Sequence, residues 1–263
     1  MKQALLAVSY GTAVPQARTS IEAVERALRE ELPAWDFFHA FTGAAIRQRL
    51  GMGERVSSPE EMLAQLREMG YTDVLVQPTH LLYGSEYDAL RETVSGFSGS
   101  FARLSLGRPL LAESEDLHML ASALMDAHRT EDALVLVGHG TGYPAGMVYP
   151  ALQTAFRLQG CENAYVGTIK GWPDMADVSR QLRRDGQRRV LLAPLMLSAG
   201  GHVLRDITGD GEGSWKCRLE AEGFAVRCHT EGLGMLGKVQ EMYAKHLRQL
   251  EQETGKREEL DHA

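Results

Sequence analysis

Two histidines and a glutamate in this chain stand in short runs of small or polar residues where chemistry is to be weighed against packing, and a third histidine lies near the glutamate. His139 lies in Val137-Gly-His-Gly-Thr141, and His202 follows Ser198-Ala-Gly-Gly201. Glu86 lies in Tyr83-Gly-Ser-Glu-Tyr87, and His80 sits just past Pro78. Glycines on both sides of His139 let the backbone turn sharply and let a ligand approach the imidazole. A structural histidine is more often held on an apolar face among bulky neighbours. Imidazoles and a carboxylate converging in one place suit a divalent first-row metal, and the same groups accept protons near neutral pH. Spacing does not separate these two roles, because the groups do not share one helix. Glu86 also reads as an ordinary polar first turn favoured by the helix dipole. His80 reads as a supporting or structural residue rather than a ligand. Tyr10 reads equally as the lining of a flat ligand or as packing on a sheet.

These residues are linked by an internal repeat. Ala4-Leu-Leu-Ala-Val-Ser-Tyr-Gly-Thr12 returns as Ala133-Leu-Val-Leu-Val-Gly-His-Gly-Thr141. The segment 70–86 returns as 186–202, sharing an apolar strand, a proline, a short apolar run and a glycine. Within this frame Tyr10 corresponds to His139, Glu86 to His202, and His80 to Met196. The repeat therefore predicts two related halves that present different side chains at equivalent strand ends.

The surrounding pattern is α/β. Near-continuous apolar runs at 4–9, 36–42, 73–77 and 102–106, and again at 133–137, 163–169, 189–193 and 224–228, alternate with amphipathic stretches. This predicts parallel βαβ units with both sheet faces covered. Ser58-Pro-Glu-Glu61 reads as a capping box opening a helix that ends at Gly70. Ser114 reads as the N-cap of a further helix, and the charged tail from Gln252 to Ala263 is expected to fray. Two similar half-domains are expected, 1–128 and 129–263, each a parallel sheet of about four strands flanked by helices. In such sheets ligands bind beyond the carboxyl ends of the strands, which places the expected active site in the cleft between the halves. Gly209-Asp-Gly-Glu-Gly213 reads as a lid-like loop opening a helix at Ser214.

Composition narrows the function classes. A net charge of −7 without a basic stripe argues against nucleic acid as a partner. No segment approaches the roughly 20 apolar residues of a membrane span. Three cysteines without a C-x-x-C pair do not form a disulfide framework, which fits a reducing cytoplasm. The phosphate-binding G-x-x-x-x-G-K-[ST] and G-x-G-x-x-G patterns and the nucleophile elbow G-x-S-x-G are absent.

Taken together, Val8-Ser-Tyr-Gly-Thr12, Gln77-Pro-Thr-His-Leu-Leu-Tyr-Gly-Ser-Glu-Tyr87, Val137-Gly-His-Gly140, Pro194-Leu-Met-Leu-Ser-Ala-Gly-Gly-His202 and Asp210-Gly-Glu-Gly-Ser-Trp-Lys216 resemble the anaerobic cobalt chelatases of the CbiK type, in order along nearly the whole chain. These belong to the class II chelatases. The resemblance implies a two-lobed, ferrochelatase-type fold and insertion of Co2+ into sirohydrochlorin, or precorrin-2, in anaerobic cobalamin biosynthesis. It implies that His139, His202 and Glu86 are the metal-binding and catalytic residues, and that the metal is a substrate with no permanent cofactor. Tyr10, Lys170 and His80 are the expected substrate contacts. Some members carry a further glutamate where this chain has Lys170, in Val166-Gly-Thr-Ile-Lys-Gly-Trp-Pro173. A protonated lysine does not bind metal, so Lys170 reads instead as a partner for a substrate carboxylate, with Arg47 and Arg205 as further cationic candidates. The expected partners are thus a tetrapyrrole and a divalent metal ion, and the sequence is compatible with a homo-oligomer. An iron or nickel chelatase, or a non-catalytic tetrapyrrole or metal binder, are the alternative readings.

Overall fold

The computed structural model describes residues 2–50 and 56–261, with side chains in the final helix described as far as Glu253. Eight strands form two four-stranded parallel sheets. The first contains β1 (Gln3–Ser9), β2 (Asp36–Phe41), β3 (Asp73–Pro78) and β4 (Arg103–Leu106) in the order β2-β1-β3-β4. The second contains β5 (Ala133–Gly138), β6 (Ala164–Thr168), β7 (Arg189–Pro194) and β8 (Ala225–Cys228) in the order β6-β5-β7-β8. All eight strands fall where the apolar runs predict them. Burial explains why the runs do not alternate. Leu5 and Leu6, neighbours on opposite faces of β1, are both fully buried, as are Leu134 and Val135 in β5.

The repeat seen in the sequence is reproduced bond for bond in the main chain. Thr79 N–H donates to the Val8 carbonyl at 2.8 Å, and Leu195 N–H donates to the Val137 carbonyl at 2.8 Å. Gly43 N–H donates to the Tyr10 carbonyl at 3.0 Å, and Lys170 N–H donates to the His139 carbonyl at 2.9 Å. Leu110 N–H reaches the His80 carbonyl at 2.9 Å, and Leu233 N–H reaches the Met196 carbonyl at 2.8 Å. The pairing of Tyr10 with His139 and of His80 with Met196 is therefore a property of the fold as well as of the letters.

The helices are α1 (Pro15–Glu31), α2 (Ala44–Arg49), α3 (Pro59–Glu68), α4 (Ser85–Gly96), α5 (Ser114–Ala127), α6 (Val148–Leu158), α7 (Met175–Arg184), α8 (Trp215–Ala221) and α9 (Gly237–Asp261). The capping box forms as expected: Ser58 accepts from Glu61 N–H, and Glu61 accepts from Ser58 N–H at 2.8 Å. Gly70 follows α3 with φ +77°, a conformation that suits a residue without a side chain. Ser214 caps α8 by accepting from Cys217 N–H. Two local expectations differ. The cap of α5 is Glu113 rather than Ser114, with the Glu113 N–H donating to Asp116 at 2.8 Å. The tail does not fray from Gln252: α9 stays helical to Asp261, through a stretch rich in Glu, Lys and Arg, which are good helix formers. The last two residues of that tail lie outside the described residues. The short helix α2 had no signal in the sequence reading.

The chain divides into two compact units. One comprises Met1–Ala13, Ile21–Ala112 and Gln240–Ala263, and the other Val14–Ser20 and Glu113–Val239. Each unit holds one sheet, and neither coincides with the contiguous stretches 1–128 and 129–263. The helices are apportioned differently: α5 falls with the second sheet and most of α9 with the first. Side-chain bonds give the reason for α9. Tyr243 donates to the Thr79 carbonyl at 2.7 Å, and Arg248 pairs with Glu31 at 2.6 Å. In the second unit Val135, Val137, Val190 and Leu192 pack with Val178 and Leu182 of α7 and with Trp215 and Leu219 of α8. Leu192 is fully buried there. Leu192→Ala should lower stability by about 2–5 kcal/mol, read from urea unfolding followed by circular dichroism; a loss below about 1 kcal/mol would contradict this packing.

Candidate active site

Each sheet order reverses direction between its two central strands, β1 and β3 in one unit and β5 and β7 in the other. Loops leaving the carboxyl ends of such strands diverge to opposite sides and leave a crevice where ligands bind in open parallel sheets. The candidate residues stand on these loops. Tyr10 follows β1, and His80 and Glu86 follow β3. His139 follows β5, and His202 follows β7.

The second unit brings His139 and His202 together. Their rings meet edge to face, with centroids 5.0 Å apart and an interplanar angle of 76°. His139 is exposed and its Nδ1 lies 3.1 Å from the Gly140 carbonyl oxygen. His202 is partly exposed, and its Nδ1 lies 2.7 Å from Asp206 Oδ2. Arg205 grips the same carboxylate, with Nε to Oδ1 at 2.7 Å and Nη2 to Oδ2 at 3.0 Å. The Arg205 guanidinium, with a smaller contribution from the His202 hydrogen bond, holds the Asp206 carboxyl below the usual range. Two adjacent imidazoles at a strand end can bind a borderline divalent ion or accept protons. Among the described residues, no group of three or more His, Cys, Asp or Glu side chains is gathered to hold a metal ion. The arrangement is a partly exposed histidine pair, unlike a closed four-ligand structural zinc site.

Local structure explains why the sequence must read Gly-His-Gly. Gly140 has φ +81°, and a Cβ there would stand 1.6 Å from the Lys170 carbonyl oxygen. A Cβ on Gly138 would stand 2.2 Å from the Tyr149 ring, whose hydroxyl accepts from the Gly140 N–H at 3.1 Å. The space beside these glycines is therefore filled by Tyr149 and by the backbone at Lys170, not left for a ligand as the sequence suggested. Gly201 differs, because nothing lies within 4 Å of its missing Cβ. His202 owes its place to a π-helical turn, Val203–Ile207. Val203 and Ile207 are fully buried in the core of that unit, so His202 and Asp206, each one residue earlier, lie side by side on the adjoining face. Turns of this kind recur at functional sites. Asp206 escaped the sequence reading. The signal was there: His202-x-x-x-Asp206 matches the register of Val203-x-x-x-Ile207.

The first unit supplies the counterparts. Glu86 is partly exposed in the first turn of α4, at the position His202 takes in the helical segment that begins at Gly201. Glu86 thus belongs to the expected polar first turn of α4. Tyr10 is 47% exposed, so its ring does not pack away on the sheet. His80 behaves otherwise. Both ring nitrogens are buried and without a hydrogen-bond partner among the described residues, and burial pushes its pKa down to about 4. Lys170 is exposed, with its backbone tied to His139. Arg47 is turned to its own strand end, donating to the Phe41 carbonyl at 2.5 Å and the Thr42 carbonyl at 2.9 Å. Arg47 and Arg205 are thus engaged locally, which leaves Lys170 as the cation best placed to meet an anion. The exposed rings and apolar side chains Tyr83, Tyr143, Met147, Trp172 and Leu204 also lie on loops or helix starts beyond strand carboxyl ends. A cavity of about 390 Å³ lined by Arg157, Asn163, Tyr165 and Asp185 contains none of the candidate residues and lies toward the amino end of β6.

Two parallel four-stranded sheets flanked by helices, with an imidazole pair at the switch point of one and a carboxylate at the equivalent place in the other, define a protein of the chelatase fold. Solved structures agree on the fold. SirB from Bacillus subtilis with Fe3+ superposes with a TM-score of 0.68 at 18% identity, covering 95% of this chain and 96% of that one. CbiX, described as the terminal enzyme for biosynthesis of siroheme in denitrifying bacteria, superposes with a TM-score of 0.55 at 17% identity, covering 94% and 98%. The cobalt chelatase (CbiK) family model matches residues 3–252, and the chain belongs to that family. The sirohydrochlorin cobaltochelatase of Salmonella typhimurium is 35% identical over 95% of this chain and 96% of its own length. The sirohydrochlorin cobaltochelatase CbiKC of Nitratidesulfovibrio vulgaris is 32% identical over 86% and 82%.

Two outcomes follow from this geometry. Gly140→Ala should destabilise the protein by more than the roughly 1–2 kcal/mol of a left-handed alanine, because the Lys170 carbonyl must also move, whereas Gly201→Ala should stay within about 1 kcal/mol of wild type. Equal melting temperatures for the two variants would refute the proposed constraint. His80 generates a pH dependence. Its folded pKa of about 4 lies below the usual 6.5, so between those values the unfolded chain binds more protons and stability falls as pH falls. The loss should be about 2 kcal/mol between pH 7.5 and pH 5. His80→Met, which installs the residue found at the repeat position, should remove that share of the acid loss. An unchanged pH profile in urea unfolding would contradict the burial of a neutral His80.

Proposed function

We propose that this chain inserts Co2+ into sirohydrochlorin, or the closely related precorrin-2, as a metal chelatase of anaerobic cobalamin biosynthesis. The observation that carries the reading is the edge-to-face pair of His139 and His202 at a sheet switch point, in a chain that matches the cobalt chelatase family over residues 3–252. The curated relatives named above carry the same activity in their names.

The chemistry is an exchange without redox change. One Co2+ enters the macrocycle and two pyrrole N–H protons leave. His139 and His202 hold the incoming ion as a substrate, and no resident cofactor is required. Glu86 and a neutral imidazole take up the two protons. A carboxylate and an imidazole suit this task, since both are unprotonated acceptors near neutral pH. Tyr10 lines a flat face of the tetrapyrrole, and Lys170 pairs with one of its peripheral carboxylates. His80, with both ring nitrogens buried, supports the loop after β3 from behind rather than meeting the substrate directly. Among the described residues no helix is long and apolar enough to cross a membrane, and the three cysteines are free. Both facts accord with work in a reducing cytoplasm.

The test is anaerobic mixing of the purified protein with sirohydrochlorin and Co2+, followed by absorbance. Catalysed spectral change is expected, and a rate no greater than without protein would reject the reading. In the same assay His139→Ala and His202→Ala should each cost roughly 10²-fold or more, and normal rates in both would reject the site. Lys170→Ala should raise the KM for the tetrapyrrole while leaving kcat within a few-fold; an unchanged KM would remove Lys170 from the substrate contacts. Competition among Co2+, Fe2+ and Ni2+ identifies the preferred metal, because imidazole and carboxylate ligands select weakly among them.

A further inference from the structure

Both histidines spend Nδ1 on an oxygen that has no hydrogen to give. For His139 it is the Gly140 carbonyl at 3.1 Å, and for His202 it is Asp206 Oδ2 at 2.7 Å. An imidazole lone pair facing either oxygen at that range would be repelled, so the proton must sit on Nδ1. The Nη2 of Arg205 also lies 3.3 Å from His202 Nδ1. Its hydrogen has a better acceptor in Asp206 Oδ2, at 3.0 Å. The approach is therefore between two donors that share one carboxylate. Both rings are left with the Nε2 lone pair free, the atom a metal ion or a departing proton would use.

We propose that Asp206 is a positioning residue: it holds His202 as the Nδ1–H tautomer and aims the ring so that Nε2 meets the metal ion, with Arg205 fixing the carboxylate in turn. This inference rests on the reading of His202 as a metal ligand. The two rings reach the same tautomer by different means. The partner of His139 is a neutral backbone carbonyl set by the left-handed Gly140. The partner of His202 is a charged side chain, Asp206. A carboxylate behind a metal-binding histidine fixes orientation and raises ligand basicity, and its loss typically costs 10–100-fold in affinity. Asp206 itself is a quarter exposed, so its replacement spares the core built by Val203 and Ile207.

The measurement is titration of Co2+ alone into the full-length protein under anaerobic conditions, joined to ring-nitrogen NMR of histidine-labelled protein. Asp206→Ala should weaken Co2+ binding by about 10–100-fold and let His202 drift toward the Nε2–H tautomer. Asp206→Asn should fall between, since the amide oxygen still accepts but carries no charge. Should the alanine variant fail to fold by circular dichroism, the asparagine variant carries both readouts. A wild-type His202 found as Nε2–H, or an Asp206→Ala protein whose Co2+ affinity stays within twofold of wild type, would overturn the proposal. His202→Ala separates the two layers. Wild-type Co2+ affinity in that variant would overturn both the ligand reading and the role of Asp206. Absence of chelatase turnover, with the tautomer and the affinity loss as expected, would sustain Asp206 and reject only the catalytic reading.

Discussion

The hydrogen bond from Lys170 N–H to the His139 carbonyl holds the loop after β5 against the loop after β6. It exists only because Gly140 turns left-handed and offers no side chain to the Lys170 carbonyl beside it. That one close approach of two backbones fixes the direction in which His139 leaves its strand. From there the His139 ring turns its Nδ1 to the Gly140 carbonyl at 3.1 Å and meets His202 edge to face. The equivalent bond in the first unit, Gly43 N–H to the Tyr10 carbonyl, shows the same backbone device carrying a different side chain.

Duplication followed by divergence at a few positions accounts for the asymmetry of the site residues. Strand order, register and the hydrogen bonds at strand ends are common to both units. They are set by apolar burial and backbone pairing, which tolerate many side chains at the strand tips. The tips are where Tyr10 differs from His139 and Glu86 from His202. Met196 replaces a histidine whose buried, unpartnered nitrogens are costly to keep. Retention of His80 at that cost in one half, and a thioether in the other, marks a difference of task between the two loops.

Most of the fold was legible in the sequence because local and global preferences agree. The central strands β1 and β5 are near-continuous apolar runs, the Ser58 capping box is written in four residues, and the repeat exposes the equivalent positions. The glycines around His139 were read correctly as necessary and wrongly as open space; only the neighbouring Tyr149 and Lys170, distant from each other in sequence, reveal what occupies that space. The short helix α2 lacked a sequence signal because one and a half turns carry no periodicity. The placement of α9 against the first sheet depends on Tyr243 and Arg248 finding Thr79 and Glu31, partners that no local pattern names.

The sequence by itself determined the α/β class, the two sheets and the divergent positions at their strand ends. It could do so because burial on both faces of a parallel sheet and close turns at strand ends restrict residue type position by position. Only the tertiary structure decided which oxygen each histidine Nδ1 faces, which arginines are already engaged and which helices complete each unit. Those properties depend on distances between side chains and backbones far apart in the chain or on different faces of one turn, and a linear pattern does not contain such distances.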